Sequence, residues 1–129
     1  MLEKANINKT KISNGQNITF IQAAITSIPL PSNTADCILS NCVINLVPTP
    51  AEKQLVFHEI FRLLKPGGRV AISDTMARKE MTDKMKQDMA LYLGCISGAS
   101  LVAEYEEFLR EAGFIGLLYP PKPLDCEKS

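Results

Sequence analysis

The sequence predicts an α/β fold, the later part of an open parallel sheet with flanking helices. Two short runs, residues 36–40 and 69–74, have the apolar composition and the length of buried strands. Between them, residues 49–68 carry the start and stop signals of a helix. A strand, a helix and a second strand in this order form the unit from which parallel sheets with helical crossovers are built.

Length and composition fit a single domain. The chain has 129 residues, of which 46% are hydrophobic. Lys and Arg together number 14, as do Asp and Glu, so no net positive field favours nucleic acid, and we expect no nucleic-acid partner. No apolar run approaches the ~20 residues that cross a bilayer, and the N-terminus lacks a signal-peptide pattern. We therefore expect no membrane association and a cytoplasmic location.

The first third of the chain contains a predicted helix end and a predicted strand. Residues 1–17 are rich in Lys and Asn and are compatible with a helix that runs into an Asn14-Gly15 turn. The β-branched and aromatic content of residues 18–22 predicts a strand. The nearly continuous apolar run at 36–40 predicts a strand that is buried on both faces.

The clearest local signal is the start of a helix at Thr49. Its hydroxyl can cap the helix, Pro50 suits the first helical position, and Glu52 completes a capping box. The apolar residues at helical spacing predict the buried face: Val56, Ile60, Leu63 and Leu64. The charged residues expected to stay in water are Glu52, Lys53, Glu59 and Arg62. The sequence Pro66-Gly67-Gly68 is predicted to end the helix.

Two more helices and one more strand are predicted after residue 80. Thr82 can cap a helix whose apolar face carries Met85, Met89, Tyr92 and Leu93. Ser100 can cap another helix, with Gly113 as its terminator. Residues 114–119 have strand character, and the tail 120–129 is expected to be frayed.

The opening units of a doubly wound nucleotide-binding fold are missing from the sequence. Such folds begin with a strand, a glycine-rich turn and a helix, followed by a strand that ends in a ribose-binding acid. None of the 7 glycines forms a G-x-G-x-x-G pattern. We therefore interpret residues 1–129 as the C-terminal portion of a larger domain.

Candidate functional residues are expected at the carboxyl ends of the strands, where ligands bind in such sheets. Asn41 and Asn45 offer amide donors and acceptors for a small polar ligand, although they would serve equally to close their own turn. Cys42 lies at the mouth of the predicted crevice and Cys37 inside the strand. His58 is the sole histidine and is expected to be structural.

The cysteines admit two interpretations. Cys37, Cys42, Cys95 and Cys126 are too few and too irregularly spaced for a disulfide framework, so we expect reduced thiols. From periodicity alone, each is more often a small buried hydrophobic residue than a ligand. Two thiolates brought together would instead form a soft site that selects soft ions. Spacing does not decide whether Cys42 and Cys95 meet.

Two segments resemble known methyltransferases. Residues 59–74 resemble the helix and following strand of class I S-adenosylmethionine-dependent methyltransferases, which implies a partial Rossmann-like sheet with flanking helices. The run Ser40-Asn41-Cys42-Val43-Ile44-Asn45-Leu46 is similar to the arsenite methyltransferases in particular. Gly94-Cys95 followed by Gly98-Ala99 is similar to a second cysteine segment of that family. The resemblance extends to about residue 114 and implies a family member truncated at its N-terminus.

The resemblance to arsenite methyltransferases implies methyl transfer from S-adenosylmethionine to trivalent arsenic, a detoxification reaction. Cys42 and Cys95 fall on the two arsenic-ligand positions and would be the catalytic thiolates. Ile25 would flank the adenine of the cofactor, and Asn41 would line the cofactor crevice. The implied partners are thiol-bound arsenite and a thiol reductant.

Two alternatives stay open from the sequence. Without the glycine-rich motif the cofactor loses polar contacts worth about 1.5–3 kcal/mol each, so we expect cofactor affinity to fall by orders of magnitude, and catalysis by this chain alone stays open. One alternative is a non-catalytic remnant that binds As(III) or a partner chain. The other is a methyltransferase that acts on a different small molecule.

Overall fold

A computed structural model of the chain describes residues 1–80, 82–84, 87 and 98–118. The helices with both ends described are α1 (Leu2–Thr10), α2 (Pro50–Leu63) and α3 (Val102–Ala112), and residues 83, 84 and 87 are helical as well. The strands are β1 (Ala35–Asn41) and β2 (Leu64–Ser73). Short 3-10 turns lie at Gly15–Asn17 and Ile44–Leu46. The predicted α/β class is confirmed.

Strands β1 and β2 form a parallel pair connected by α2. Cys37 pairs with Arg69, and Asn41 pairs with Ser73 at the last residue of each strand. Both carboxyl ends therefore finish at the same edge of the sheet. This is the strand, helix and strand unit that the sequence predicts.

Helix α2 begins where its capping signals predict. The amide of Glu52 donates to Oγ1 of Thr49 at 3.2 Å, and that hydroxyl donates to Oε2 of Glu52 at 2.7 Å. All the apolar residues of the predicted face are buried: Val56, Ile60, Leu63 and Leu64. The prediction that Pro66-Gly67-Gly68 ends the helix is wrong, because Leu64 is already extended at φ −72° and ψ 136°. The two glycines lie instead within β2, where the register with β1 shifts.

The hydrophobic core lies between α2, α3 and one face of the sheet. Its buried residues are Ile44, Val47, Val56, Phe57, Ile60, Leu64, Tyr105 and Ala112. The ring of Phe57 meets Tyr105 edge-on at a centroid distance of 5.4 Å and stacks on Phe108 at 5.7 Å. These aromatic contacts dock α3 on α2, and an edge-to-face pair adds about 0.5–1.5 kcal/mol to the burial itself.

The prediction that the first strand is buried on both faces is wrong. Ile38 packs against the core. Leu39 is 78% exposed, and Cys37, which lies two positions earlier on the same face of the strand, is exposed as well. A parallel strand is covered on both faces only when chain packs on both sides of the sheet. Among the described residues, the core with α2 and α3 covers the face that carries Ile38.

Two other predicted strands do not form in the described part of the chain. Residues 18–22 and 114–118 have no regular secondary structure there. Their composition suits a pleated surface, but a strand also needs a neighbouring edge to pair with. Between residue 22 and the start of β1, the only strand-like pairing is an isolated bridge between Ala24 and Ser27. Residue 119 and the tail 120–129 lie outside the described residues.

Helix α3 ends as predicted but begins differently. Gly113 adopts a left-handed φ of 108° and terminates the helix. The predicted cap Ser100 does not cap it, and the amide of Leu101 donates instead to Oε2 of Glu104 at 2.7 Å. The apolar residues of the helix predicted after Thr82, from Met85 to Leu93, lie outside the described residues.

Helix α1 agrees with the predicted helix end, since it runs towards the turn at Gly15–Asn17. None of its residues is buried. No helix within the described ranges is long and apolar enough to cross a membrane.

Candidate active site at the carboxyl edge of the sheet

Cys42 is the first residue after β1 and lies at the carboxyl edge of the sheet. Its amide donates a 2.8 Å hydrogen bond to the carbonyl of Ser73, the last residue of β2. Its backbone is left-handed at φ 53°, a conformation that costs a residue other than glycine roughly 1–2 kcal/mol. The thiol is free and exposed. Such strain is concentrated at functional sites, so Cys42 is a candidate nucleophile or soft-ion ligand.

Asn45 closes the turn that Cys42 begins, and it binds Asp74 just beyond β2. The amide of Asn45 donates to Oδ2 of Asp74 at 3.2 Å, and its side-chain Nδ2 donates to Oδ1 at 2.9 Å. Nδ2 also donates to the carbonyl of Thr75. Asn45 is 2% exposed, so its side-chain carboxamide closes the turn and does not face a ligand. Of the two roles considered for Asn45, the structure supports the structural one.

Tyr105 reaches the same carboxylate from α3. Its phenol donates to Oδ2 of Asp74 at 2.9 Å and lies 3.4 Å from Oδ1 of Asn45. Burial raises the pKa of Tyr105, and the hydrogen bond to Asp74, the charge of Asp74 and that of Cys42 act in the same direction. The phenol therefore stays protonated and remains a donor. Apolar periodicity predicts only a core position for Tyr105, although a buried tyrosine hydroxyl usually has a partner.

Lys53 is buried, so the prediction that it stays in water is wrong. Its Nζ crosses to the segment before α3, where it donates to Oγ of Ser100 at 2.9 Å and to the carbonyl of Gly98. Burial lowers the pKa of Lys53, and the charges of Glu104 and Asp74 oppose that shift. The long apolar stem explains the difference, because it lets lysine pass through a core to reach polar groups.

Asn41 ends β1 and is exposed beside a shallow groove of about 320 Å³ across the sheet. The residues that line this groove are Leu39, Ser40, Asn41, Ala71, Ile72 and Ser73. Ile25 is not among them. It lies in the turn between Ala24 and Ser27 and packs, partly buried, against the core. The structure thus brings Asn41 and Cys42 to one edge and does not bring Ile25 into this groove.

Of the remaining cysteines and the histidine, two residues lie outside the described part of the chain and two are exposed within it. Cys95 and Cys126 lie outside the described residues. Cys37 is an exposed free thiol on β1, and His58 is exposed on α2 with its Nε2 3.2 Å from Nε2 of Gln54. Within the described ranges, no group of three or more His, Cys, Asp or Glu residues could hold a metal ion. His58 has the structural position that the sequence predicts.

Parallel strands that end at one polar edge, with α2 as their crossover, define a Rossmann-like α/β protein. Residues 1–113 match the family model described as a methyltransferase domain. The chain therefore belongs to the methyltransferase domain family.

The chain is similar to arsenite methyltransferases. It is 38% identical over 127 residues to that of Halobacterium salinarum, covering 98% of this chain and 32% of the relative. It is 41% identical over 90 residues to that of Aquipseudomonas alcaligenes, covering 70% and 25%. A solved arsenic(III) S-adenosylmethionine methyltransferase from Chlamydomonas reinhardtii matches with a TM-score of 0.68 and 32% identity, over 75% of this chain and 32% of that one. The chain spans a third or less of the length of these relatives.

Proposed function

We propose that residues 1–129 form the later part of an arsenite methyltransferase domain, which transfers a methyl group from S-adenosylmethionine to trivalent arsenic. The observation that carries this proposal is the place of Cys42, an exposed thiol at the carboxyl edge of the sheet. The similarity to curated arsenite methyltransferases over 98% and 70% of this chain supports the substrate.

The proposed ligands of As(III) are the thiolates of Cys42 and Cys95. Trivalent arsenic is a soft centre, and thiolates are the soft side chains of proteins. Coordination by two thiolates leaves the arsenic lone pair free to attack the methyl carbon of the donor, so that an As–C bond would form while the S–C bond breaks and the thioether S-adenosylhomocysteine leaves with the electron pair. The exposed thiol of Cys42 is accessible for exchange with thiol-bound arsenite, and a thiol reductant keeps the cysteines competent.

Asn41 and the groove beside it fit an adenosine-containing methyl donor. S-adenosylmethionine supplies an electrophilic methyl group when it is bound. Leu39 and Ala71 give the groove an apolar surface, and Asn41 adds a carboxamide that both donates and accepts at its end. Ile25 is proposed to flank the adenine on the strength of the family resemblance, because it lies outside this groove and packs, partly buried, against the core.

We also propose a cytoplasmic location, with arsenite and a thiol reductant as small-molecule partners and without nucleic acid or membrane. The small number and irregular spacing of the cysteines support a reducing compartment. The equal counts of 14 basic and 14 acidic residues support the absence of an anionic polymer as partner.

The test is a calorimetric titration of the reduced full chain with arsenite, which measures As(III) binding directly. We expect Cys42→Ser and Cys95→Ser each to weaken the thiol-dependent site severely, with the remaining thiol still able to hold As(III). Cys37→Ser is the matched control, because it removes an exposed thiol that lies within β1, away from the strand end. Equal As(III) affinity in Cys42→Ser and the unsubstituted chain would contradict the proposal.

Mass spectrometry separates the proposed function from its alternatives. We expect methylated arsenic after incubation with arsenite, S-adenosylmethionine and a dithiol. A chain that binds As(III) through Cys42 but yields no methylated product would be a non-catalytic remnant. Methylation that continues in the variant lacking both Cys42 and Cys95 would indicate another substrate.

A further inference from the structure

We propose that Tyr105 is a positioning residue for Cys42 and acts through a partly buried brace, the hydrogen-bonded group Asn45, Asp74 and Tyr105. The inference rests on the proposed function and adds to it a residue that fixes the orientation of the arsenic-binding thiol. Tyr105 itself does not touch the substrate in this proposal.

The brace converges on one carboxylate. Oδ2 of Asp74 accepts from the phenol of Tyr105 at 2.9 Å and from the amide of Asn45 at 3.2 Å. Oδ1 accepts from Nδ2 of Asn45 at 2.9 Å and from the amide of Thr75 at 3.0 Å. Asp74 therefore joins the end of β2, the turn after β1 and helix α3.

The turn that carries Cys42 is fastened at both ends. At its start, the amide of Cys42 donates to the carbonyl of Ser73 at 2.8 Å. At its end, Asn45 makes two hydrogen bonds to Asp74. Between these points Cys42 keeps a left-handed φ of 53°, which persists only where the surroundings enforce it. The brace holds the turn and thereby keeps Cys42 in this conformation.

Tyr105 holds the brace from the core side. The residue is 4% exposed, so bulk water does not readily replace its hydroxyl. Its ring is held independently by Phe57, at a centroid distance of 5.4 Å. Removal of the hydroxyl therefore leaves the packing in place and takes away one hydrogen bond to Asp74 and the contact with Oδ1 of Asn45.

A loosened turn lowers the fraction of molecules whose Cys42 thiol has the binding-competent orientation. The apparent dissociation constant rises in inverse proportion to that fraction. The loss of a partly buried hydrogen bond to a charged group supports a change of about tenfold. The effect is expected at Cys42 and not throughout the fold.

The experiment compares the full chain with Tyr105→Phe by native-state hydrogen exchange and by arsenite calorimetry. We expect the amides of Cys42 and Asn45 to exchange at least about tenfold faster, with α2 amides unchanged, because local opening is confined to the turn. We expect the As(III) dissociation constant to rise about tenfold. In the Cys42→Ser background Tyr105→Phe should cause no further loss of As(III) binding.

Two further variants keep the test decisive. Phe108→Leu is the control, because this residue lies on the same helix and stacks on Phe57 but makes no hydrogen bond to Asp74. We expect it to lower global stability without a selective change at the Cys42 amide. Asp74→Asn removes the carboxylate itself and should accelerate exchange at Cys42 and Asn45, even if Tyr105→Phe does not fold.

The outcomes are distinguishable. If the amides of Cys42 and Asn45 exchanged in both Tyr105→Phe and Asp74→Asn as slowly as in the unsubstituted chain, the brace would not hold the turn. Faster exchange with unchanged As(III) affinity would overturn the positioning role. Absence of As(III) binding in the unsubstituted chain would overturn the proposed function, and the exchange rates would then still uphold or overturn the brace.

Discussion

Arg62 binds both carboxylate oxygens of Glu59, with Nη2 2.6 Å from Oε1 and Nε 2.8 Å from Oε2. The pair also holds the loop that precedes β1. The amide of Ile28 donates to Oε1 of Glu59 at 2.8 Å, and Arg62 donates to the carbonyls of Ile28 and Leu30. This loop follows the turn of Ile25 and leads into the strand that ends at Asn41, so the pair fixes the path of the chain between two proposed cofactor contacts.

Glu59→Gln is expected to lower the free energy of unfolding by about 1–3 kcal/mol near neutral pH, because it breaks a partly buried, charge-assisted pair. The hydrogen bond from Arg62 holds the pKa of Glu59 at about 2, below its ordinary 4.5. The stabilisation is therefore complete above pH 4.5 and is lost as the pH falls through 2.

Urea unfolding of both proteins at neutral pH and at about pH 3 measures this dependence. The stability gap should narrow at the lower pH, and a gap of equal size at both would contradict the assignment. Asp36→Asn is the control, since Asp36 is 85% exposed and its partner Lys65 is 47% exposed. Exposed pairs contribute about 0–1 kcal/mol, so little change is expected there.

Lys53→Met is expected to lower the free energy of unfolding by about 1–3 kcal/mol, because Ser100 and the carbonyl of Gly98 lose their buried donor. Burial lowers the pKa of Lys53 in the folded chain relative to 10.5 in the unfolded chain. As the pH rises from the lowered pKa towards 10.5, the unsubstituted chain should gain stability relative to Lys53→Met. Denaturant titrations across the alkaline range measure this gap, and a gap that shrinks with rising pH would count against a buried cation.

Cys42→Gly is expected to be about 1 kcal/mol more stable than Cys42→Ala, because glycine adopts a left-handed φ without the steric cost of a Cβ atom. Cys42 has a φ of 53°, so a residue with a Cβ atom occupies a left-handed position. Denaturant unfolding of the two variants gives the difference. If alanine were the more stable residue here, the turn would not be strained.

Phe57→Ala is expected to cost about 3–5 kcal/mol, since a fully buried aromatic side chain leaves a cavity that the core cannot close. Phe57 is 0% exposed and contacts Tyr105 and Phe108 of α3. Leu55→Ala on the same helix is the control, because Leu55 is 53% exposed. Thermal unfolding followed by circular dichroism compares them, and equal losses would exclude Phe57 as the contact that docks α3.

The elements that the sequence predicts correctly are those whose determinants are local. Thr49, Pro50 and Glu52 start α2 by contacts within one turn, and Gly113 ends α3 through its own φ. The place of Cys42 at the carboxyl edge follows from the end of one apolar run. Residues 18–22 fail as a strand because pairing needs a second edge, which composition does not report.

The brace is not predictable from the sequence, since its members meet only after the helices pack. Tyr105 and Asp74 are separated by 31 positions, and Lys53 and Ser100 by 47. Helical periodicity places Tyr105 correctly in the core but is silent on the partner of its hydroxyl. Helical spacing puts Lys53 on the same face as Val56 and Ile60, and the prediction of exposure comes from its charge, which takes no account of its apolar stem.

X-ray absorption spectroscopy of the As(III)-loaded chain tests the central claim most directly, because it counts the sulfur atoms bound to arsenic. We expect sulfur-only protein coordination in the unsubstituted chain and one fewer sulfur neighbour in Cys42→Ser, with no change in Cys37→Ser. An arsenic environment that is identical in the unsubstituted chain and in Cys42→Ser would contradict the assignment of Cys42 as an arsenic ligand.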